Sequence, residues 1–471
     1  MTNQIELSEL FTLQKSKSLA IRNEPVKDRI SKLVRLRKWV LSNRERIIDA
    51  VQQDLGKPPI EIESNEIFTT VSAINHIIKN VDRWTKPKKI DTPVEFLGTS
   101  LDIWYEPKGV CLIISPWNFP LQLCLRPLAY CIAAGNTAIL KPSEVSTKTS
   151  ELIAELVEEI FVSEEVCVVT GGLEKSTELL KLPFDHIYFT GSGPVGKIVM
   201  KAAAENLASV TLELGGKSPT IVDETANLKD AAKRIVFGKF INNSQTCLAP
   251  DYILVKKEVE EKFLDFLKAS ISKLFDAPNG IKEDNPHYAR IINSKHHDRL
   301  TSLLVDAKNR GAKEVISGNS NATTNFFPPH VLTNVSRESQ VMTEEIFGPI
   351  LPVITYEKEE EVLDLINALP KPLALYIFST RRSFQNRILK ETSSGTSCIN
   401  DCVIHFAHPE MPFGGVNASG IGKSHGYYGF LAFSNEKPVL RQKSGLTTAY
   451  PFYPPYTKWT KRISNWALKW I

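Results

Sequence analysis

Cys247 sits in an unusual stretch for a cysteine. The run Asn242-Asn243-Ser244-Gln245-Thr246-Cys247-Leu248-Ala249-Pro250 is polar up to the thiol and ends on a proline. Most lone cysteines serve as small buried hydrophobes. A polar loop close to a helix end instead suits a reactive thiolate, a nucleophile for carbonyl carbon. Glu213 stands 34 residues earlier, in Leu212-Glu213-Leu214-Gly215-Gly216-Lys217-Ser218-Pro219. A carboxylate ending a buried strand is either salt-bridged or solvated, or it is a base whose pKa is raised by partial desolvation. Asn118 lies between prolines and aromatics in Pro116-Trp117-Asn118-Phe119-Pro120. Its amide can donate to an oxyanion, or it can simply cap a stiff turn.

Two further motifs point to an anionic ligand. Gly191-Ser192-Gly193-Pro194-Val195-Gly196 follows a strand-like run and opens a helical stretch. Glycines there let backbone approach a pyrophosphate, and free N–H groups at a helix start favour the anion. Alone, the pattern equally describes a tight strand–helix turn. Lys141-Pro142-Ser143-Glu144 also comes directly after a strand-like run, and strand C-termini are where open α/β sheets bind ligands.

The elements that position these residues follow from periodicity. Val110–Ser115, Thr137–Leu140, Val166–Thr170, His186–Thr190 and Val210–Leu214 are short apolar runs separated by helical segments. Such runs predict buried parallel strands in a doubly wound dinucleotide-binding domain. Residues 26–55 and about 61–83 read as helices ahead of it, and 89–106 as β structure. Beyond Ile221 the alternation continues, with a helix near 228–242, a strand near 252–255 and a helix near 257–274. This predicts a second α/β domain reaching to about residue 400. The glycine-rich segment 411–422 reads as a loop.

Composition sets the bounds. The chain has 471 residues, 42% hydrophobic and 23% charged, enough for two or three joined domains with a large core. Its seven cysteines are an odd number and form no Cys-x-x-Cys pair. That suggests reduced thiols in the cytoplasm rather than a disulfide framework, and no metal site. The first residues show no secretory pattern, and no apolar run reaches the ~18–20 residues of a spanning helix. The net charge is +4, but from Lys437 onward there are seven basic residues and no acidic one, which leaves the rest mildly acidic. A basic tail on an acidic body argues against nucleic-acid binding.

Taken together, these motifs resemble the aldehyde dehydrogenase superfamily along nearly the whole chain. Glu-Glu-Ile-Phe-Gly-Pro at 344–349 and Pro-Phe-Gly-Gly-Val at 412–416 complete the set. The branch it looks like is that of the class 3 and fatty aldehyde dehydrogenases, on Gln-Thr-Cys-Leu-Ala-Pro-Asp-Tyr (245–252), the short N-terminal region and Tyr-Pro-Pro-Tyr (453–456). The resemblance implies a Rossmann-type dinucleotide domain (1–88 and 107–215), an α/β catalytic domain (216–410) and a small β flap with bridging segments (89–106 and 411–450) that makes a homodimer. It implies oxidation of aldehydes, medium- or long-chain aliphatic or aromatic, to acids. Cys247 would be the nucleophile, Asn118 and the Cys247 N–H the oxyanion donors, and Glu213 the base that hydrolyses the thioester. The cofactor would be NAD, with NADP also possible. Lys141 and Glu144 would meet the adenosine ribose, Gly191 and Ser192 the pyrophosphate and Glu345 the nicotinamide ribose. Phe347 would pack near that ring, with Trp117, Gly196, Leu214 and Gly215 completing the surface. Glu144 repels a 2′-phosphate and so favours NAD. Glu345 outside this context would read as a helix-end carboxylate.

Three positions depart from the family pattern: Ser244 for a usual Gly, Asn417 for a Gly, and Ser424-His425-Gly426 for the usual Tyr-His-Gly. Two other functions fit parts of the sequence. A coenzyme A-acylating dehydrogenase tends to lack a hydrolytic base such as Glu213. A non-catalytic NAD-binding protein would not need Cys247, Glu213 and Asn118 together.

The segment 451–471 forms a basic tail. Residues 458–471 predict a helix with Trp459, Ile463, Trp466, Ala467 and Trp470 on one face and Lys458, Lys461, Arg462 and Lys469 largely elsewhere. A helix packing on the partner subunit would look similar. Tryptophans with cations and no acid also suit a helix lying in an anionic interface at the inner face of the membrane.

Overall fold

The structure is a computed structural model and describes residues 6–469. Among the described residues, sixteen strands make three sheets. In chain order they are β1 (Lys88–Ile90), β2 (Thr99–Pro107), β3 (Val110–Ile114), β4 (Thr137–Lys141), β5 (Val166–Val168), β6 (His186–Thr190), β7 (Ser209–Glu213), β8 (Pro219–Val222), β9 (Tyr252–Lys256), β10 (Lys313–Ile316), β11 (His330–Thr333), β12 (Ile350–Tyr356), β13 (Ala374–Phe378), β14 (Thr396–Ile399), β15 (Gly420–Ile421) and β16 (Ser434–Gln442).

The six-stranded sheet has the order β15-β7-β6-β3-β4-β5 and is parallel except for β15. Its central strands are apolar on both faces because helices cover both. In β3, Cys111 and Ile113 join the core formed with helices Val26–Ser42, Thr69–Trp84, Gln122–Ala134 and Thr147–Ile160. Val110 and Leu112 point the other way, into a core shared with Leu10, Phe11, Val199 and Ala203. This alternation at period 2 inside a continuous apolar run is the signature of a parallel sheet covered by helices on both faces.

The seven-stranded sheet has the order β10-β11-β12-β9-β8-β13-β14, with β10 alone antiparallel. It too is covered on both faces. The third sheet, β1-β2-β16, is antiparallel. Its long pairing runs from Ser434↔Pro107 to Gln442↔Thr99.

Several elements differ from the sequence reading. Residues 26–55 form two helices, Val26–Ser42 and Arg44–Leu55, broken at Asn43. The second helical pattern starts at Pro59 and widens into a π turn over Glu63–Phe68 before continuing to Trp84. A further helix, Leu7–Ile21, precedes them and buries Leu10 and Phe11. The segment 411–450 is not one bridging unit. Gly420–Ile421 pairs with β7 in the dinucleotide sheet, and only β16 belongs to the flap. The tail helix is Lys458–Ala467, and Trp470 lies outside the described residues.

Candidate active site

A crevice opens where the strand order of the six-stranded sheet reverses. β3 and β6 are neighbours, with β4 beyond one and β7 beyond the other. The loops leaving their C-terminal ends diverge there, which is where open α/β sheets take ligands. From β3 come Pro116, Trp117 and Asn118; from β6 come Thr190, Gly191 and Ser192.

The seven-stranded sheet turns its N-terminal edge to the same gap. Glu213, Leu214 and Gly215 lead toward β8, Cys247 precedes β9, and Glu345 and Phe347 precede β12. β8, β9 and β12 are parallel and in register, with Pro219 opposite Tyr252 and Val353 opposite Ile253, so their leading loops share one edge. These residues line a cavity of about 260 Å³. Of the residues singled out from sequence, Lys141, Glu144 and Gly196 do not line it. Lys141 is buried at the end of β4 and donates to the Pro142 carbonyl (2.9 Å) and to Glu144 (3.3 Å). Gly196 is on the helix Gly193–Glu205, where a β-carbon would stand 2.8 Å from Leu214.

The loop that leads to Cys247 is held in a backbone that side chains rarely adopt. Asn242, Asn243 and Ser244 have φ of +52°, +51° and +64°. Left-handed backbone costs about 1–2 kcal/mol for each non-glycine residue, and a dense set of hydrogen bonds offsets it. Glu61 accepts from the Asn242 N–H (2.8 Å), and Asn242 Nδ2 donates to the carbonyls of Asn118 (2.9 Å) and Gln245 (3.0 Å). Tyr288 donates to Asn243 Oδ1 (3.0 Å), and Gln245 Nε2 donates to the carbonyls of Asn242 (3.0 Å) and Arg290 (2.9 Å). Ser244, in place of the family glycine, therefore leaves the turn intact. Asn417, the second departure from a family glycine, likewise takes a φ of +53°, a conformation asparagine tolerates.

Asn118 Nδ2 donates to the Gln245 carbonyl (3.0 Å), two residues before the thiol. That bond uses one amide hydrogen and leaves the other for an oxyanion. Beside it, burial pushes the Cys247 thiol up to about 12, helped by the negative charges of Glu345 and Glu213. The polar sequence around Cys247 predicts a ready thiolate; its partly buried place beside two carboxyls instead favours the thiol form. Burial also raises Glu213 to about 8, against the hydrogen bond from Ser424 and the charges of Lys423 and Arg126. Glu345 is raised to about 8 by burial and by Asp251.

Residues 9–439 match the family model described as the aldehyde dehydrogenase family. The chain belongs to this family. It is 43% identical over 446 residues to the 4,4'-diaponeurosporen-aldehyde dehydrogenase of Staphylococcus aureus, covering 95% of this chain and 94% of that one. It is 40% identical over 445 residues to aldehyde dehydrogenase family 3 member A2 of the rat (93% and 90% covered). The solved substrate-bound state of Staphylococcus aureus AldH superposes with a TM-score of 0.94 at 41% identity, covering 98% of this chain and all of that one. This aldehyde dehydrogenase is thus an NAD(P)-dependent enzyme that oxidises aldehydes to acids.

The residues present fit a dinucleotide. The helix Gly193–Glu205 starts directly at the crevice, and nothing stands within 4 Å of a β-carbon built on Gly193. At Gly215 a β-carbon would come within 2.2 Å of a Glu345 oxygen, so only glycine lets that carboxylate lie there. Trp117 meets Phe347 edge-on, with ring centroids 5.6 Å apart.

Other contributors escaped the sequence reading. His296 and Arg299 line the cavity from the helix Ser294–Asn309, where Arg299 also donates to the Glu345 carbonyl (3.3 Å). A His-x-x-Arg pair at the start of a helix was the available signal. Lys217 pairs with buried Asp251 and donates to the carbonyls of Val341 (2.7 Å) and Glu344 (3.0 Å), while Asp251 accepts from the Ile346 N–H (2.9 Å). This brace fixes the segment that carries Glu345.

Proposed function

We propose that Cys247, Asn118 and Glu213 carry out hydrolytic aldehyde oxidation in an enzyme of the class 3 and fatty aldehyde dehydrogenase branch. The observation that carries this reading is that thiol, amide donor and buried carboxylate line one cavity with Glu345 and Phe347. Cys247 passes its proton to solvent as its sulfur attacks the carbonyl carbon, forming a thiohemiacetal whose oxygen carries the charge. Asn118 and the Cys247 N–H hold the charge on oxygen, a donor typically worth ~10²–10³ in rate. A nicotinamide held beside Glu345 and Phe347 would supply the acceptor for the hydride that leaves the thiohemiacetal carbon. Glu213 then takes a proton from water, the hydroxide adds to the thioester carbonyl, and the C–S bond breaks to release the acid.

Lys141, Glu144, Gly191 and Ser192 would hold the adenosine and pyrophosphate, and Glu345 the nicotinamide ribose. Glu144, half-exposed beside Lys141, favours NAD over NADP. Medium- or long-chain aliphatic or aromatic aldehydes suit the apolar Trp117, Leu123 and Phe347. NADH formation with aldehydes of increasing chain length, with and without coenzyme A, tests this. A strict requirement for coenzyme A would overturn hydrolysis.

The β1-β2-β16 sheet leaves the outer edge of β16 without a strand partner among the described residues, which supports a homodimer. The tail supports peripheral contact with an anionic membrane at the inner face. Trp459 and Trp466 are 60% and 64% exposed, and no described helix is long and apolar enough to cross a membrane.

A further inference from the structure

Glu213 is buried at the end of β7, and its carboxylate takes one side-chain hydrogen bond that its motif does not announce. The Ser424 hydroxyl donates to Glu213 Oε1 at 3.0 Å, while Oε2 has no partner among the described residues. Ser424 is 2% exposed and its backbone is fixed, because its N–H donates to the Phe413 carbonyl (2.6 Å) and its carbonyl accepts from the Phe413 N–H (3.0 Å). Four residues earlier, Gly420 pairs with Glu213 across β15 and β7. Hydroxyl and carboxylate are thus held by adjoining segments.

A serine hydroxyl has one hydrogen to give. Here it faces Glu213 Oε1 at 3.0 Å and the Phe413 carbonyl at 3.4 Å, with the Tyr188 hydroxyl a third hydrogen-bonding neighbour. An ionised carboxylate is the stronger acceptor. Once protonated it is not, and the hydroxyl can turn to Phe413. A tyrosine, usual in the family at this position, carries its hydroxyl at the far end of a ring and could not place it here.

We propose that Ser424 is a positioning residue for the hydrolytic base. Its hydrogen bond favours the ionised form of Glu213 and leaves Oε2 free for water, and it releases the carboxyl once water's proton has been taken. This rests on reading Glu213 as that base. The other groups facing Glu213 are Lys423 from the same turn, Arg126 from the helix Gln122–Ala134, Tyr188 from β6 and Cys247 from the nucleophile loop. Lys423 and Arg126 act by charge at longer range.

Losing the hydroxyl removes a bond that favours the ionised form, so hydrolysis should need a higher pH. The test is the decay rate of the acyl-enzyme in rapid quench from about pH 6 to about pH 10, with the NADH burst measured alongside. Ser424→Ala and the near-isosteric, weaker donor Ser424→Cys should both keep the burst and the KM for NAD. Both should move the acidic limb upward by about one pH unit, a roughly tenfold loss below it. An unmoved limb in Ser424→Ala, or a native limb in Ser424→Cys beside a shifted one in Ser424→Ala, overturns the proposal. Glu213→Gln serves as reference. If it turns over normally, the reading of Glu213 as base fails; if it stalls while Ser424→Ala is native-like, only the role of Ser424 fails.

Discussion

The Glu345 carboxylate lies so close to Gly215 that a β-carbon on the glycine would stand 2.2 Å from one of its oxygens. The Gly216 N–H also bonds to that carboxylate. The Leu-Gly-Gly-Lys turn therefore sets where Glu345 can rest, across two segments 130 residues apart in sequence. Gly215→Ala should push Glu345 aside without touching Cys247. A charge-assisted hydrogen bond contributes about 1.5–3 kcal/mol, so the KM for NAD should rise ~10-fold or more. Steady-state kinetics check this, and an unchanged KM would remove Glu345 from the ribose.

Cys247→Ala should abolish aldehyde oxidation and leave NAD binding near native. The thiol comes from the loop before β9, whereas the residues proposed to hold the adenosine and pyrophosphate follow β4 and β6. Calorimetric titration with NAD, beside an assay for NADH, separates the two. Normal turnover by this variant would end the mechanism.

Glu213→Gln should give a burst of NADH followed by little turnover, because acylation needs the thiol and hydrolysis needs the carboxylate. With Glu213 raised to about 8, native kcat should climb as pH rises through about 8, since only the ionised form accepts water's proton. Stability runs the other way. The folded protein keeps a proton that the unfolded chain releases near 4.5, so this group's contribution is full below 4.5 and is lost as pH rises toward about 8. Glu213→Gln does not titrate. It should match native stability near pH 4.5 and exceed it progressively above, by at most ~1.4 kcal/mol per pH unit. Chemical denaturation at several pH values measures that gap, and a gap that closes with rising pH would contradict the burial of the carboxylate.

Much of this site is legible in the sequence because strand ends mark it. Asn118 and Gly191 follow apolar runs that form β3 and β6, and the crevice lies between them. Cys247 and Glu345 are legible as motifs, but their convergence is not. It depends on β9 and β12 pairing in parallel register across about a hundred residues, and no local signal records that. The thiol's protonation escapes the sequence for the same reason. The polar residues before Cys247 suggest solvent, yet Asn242, Asn243 and Ser244 are all fully buried, in a loop bonded to Glu61, Tyr288 and Arg290. Residues 411–450 read as one unit because a two-residue strand such as β15 is too short to show periodicity.

Ser244 offers a sharper test of that loop. Its φ is +64°, and its buried hydroxyl has no partner among the described residues. Ser244→Gly relieves both the left-handed backbone and the unsatisfied group, against the extra freedom of an unfolded glycine. A net gain of about 1 kcal/mol is expected, with kcat near native. Thermal and denaturant unfolding would show it, and a loss of stability would mean that the hydroxyl is bonded after all.

The tail sets a test of location. In the helix Lys458–Ala467, Thr460 is buried and Ile463 and Ala467 are half-buried, while Trp459 and Trp466 face outward. The expected apolar stripe is therefore divided, with one edge against the protein and the indoles outside it. Lys458, Lys461, Arg462 and Lys469 are all exposed. Indoles and cations together suit the headgroup region of an anionic bilayer, where each basic residue contributes ~1 kcal/mol. The ten-residue helix Lys458–Ala467 is ~15 Å long, too short for the ~30 Å hydrocarbon core, so attachment would be peripheral. The intact enzyme should co-sediment with phosphatidylserine vesicles and release in high salt, whereas a chain ending at Tyr456 should stay in the supernatant with its activity on soluble aldehydes kept. Equal pelleting of the two, or pelleting of neither, would leave the tail as a packing element for the chain or its partner.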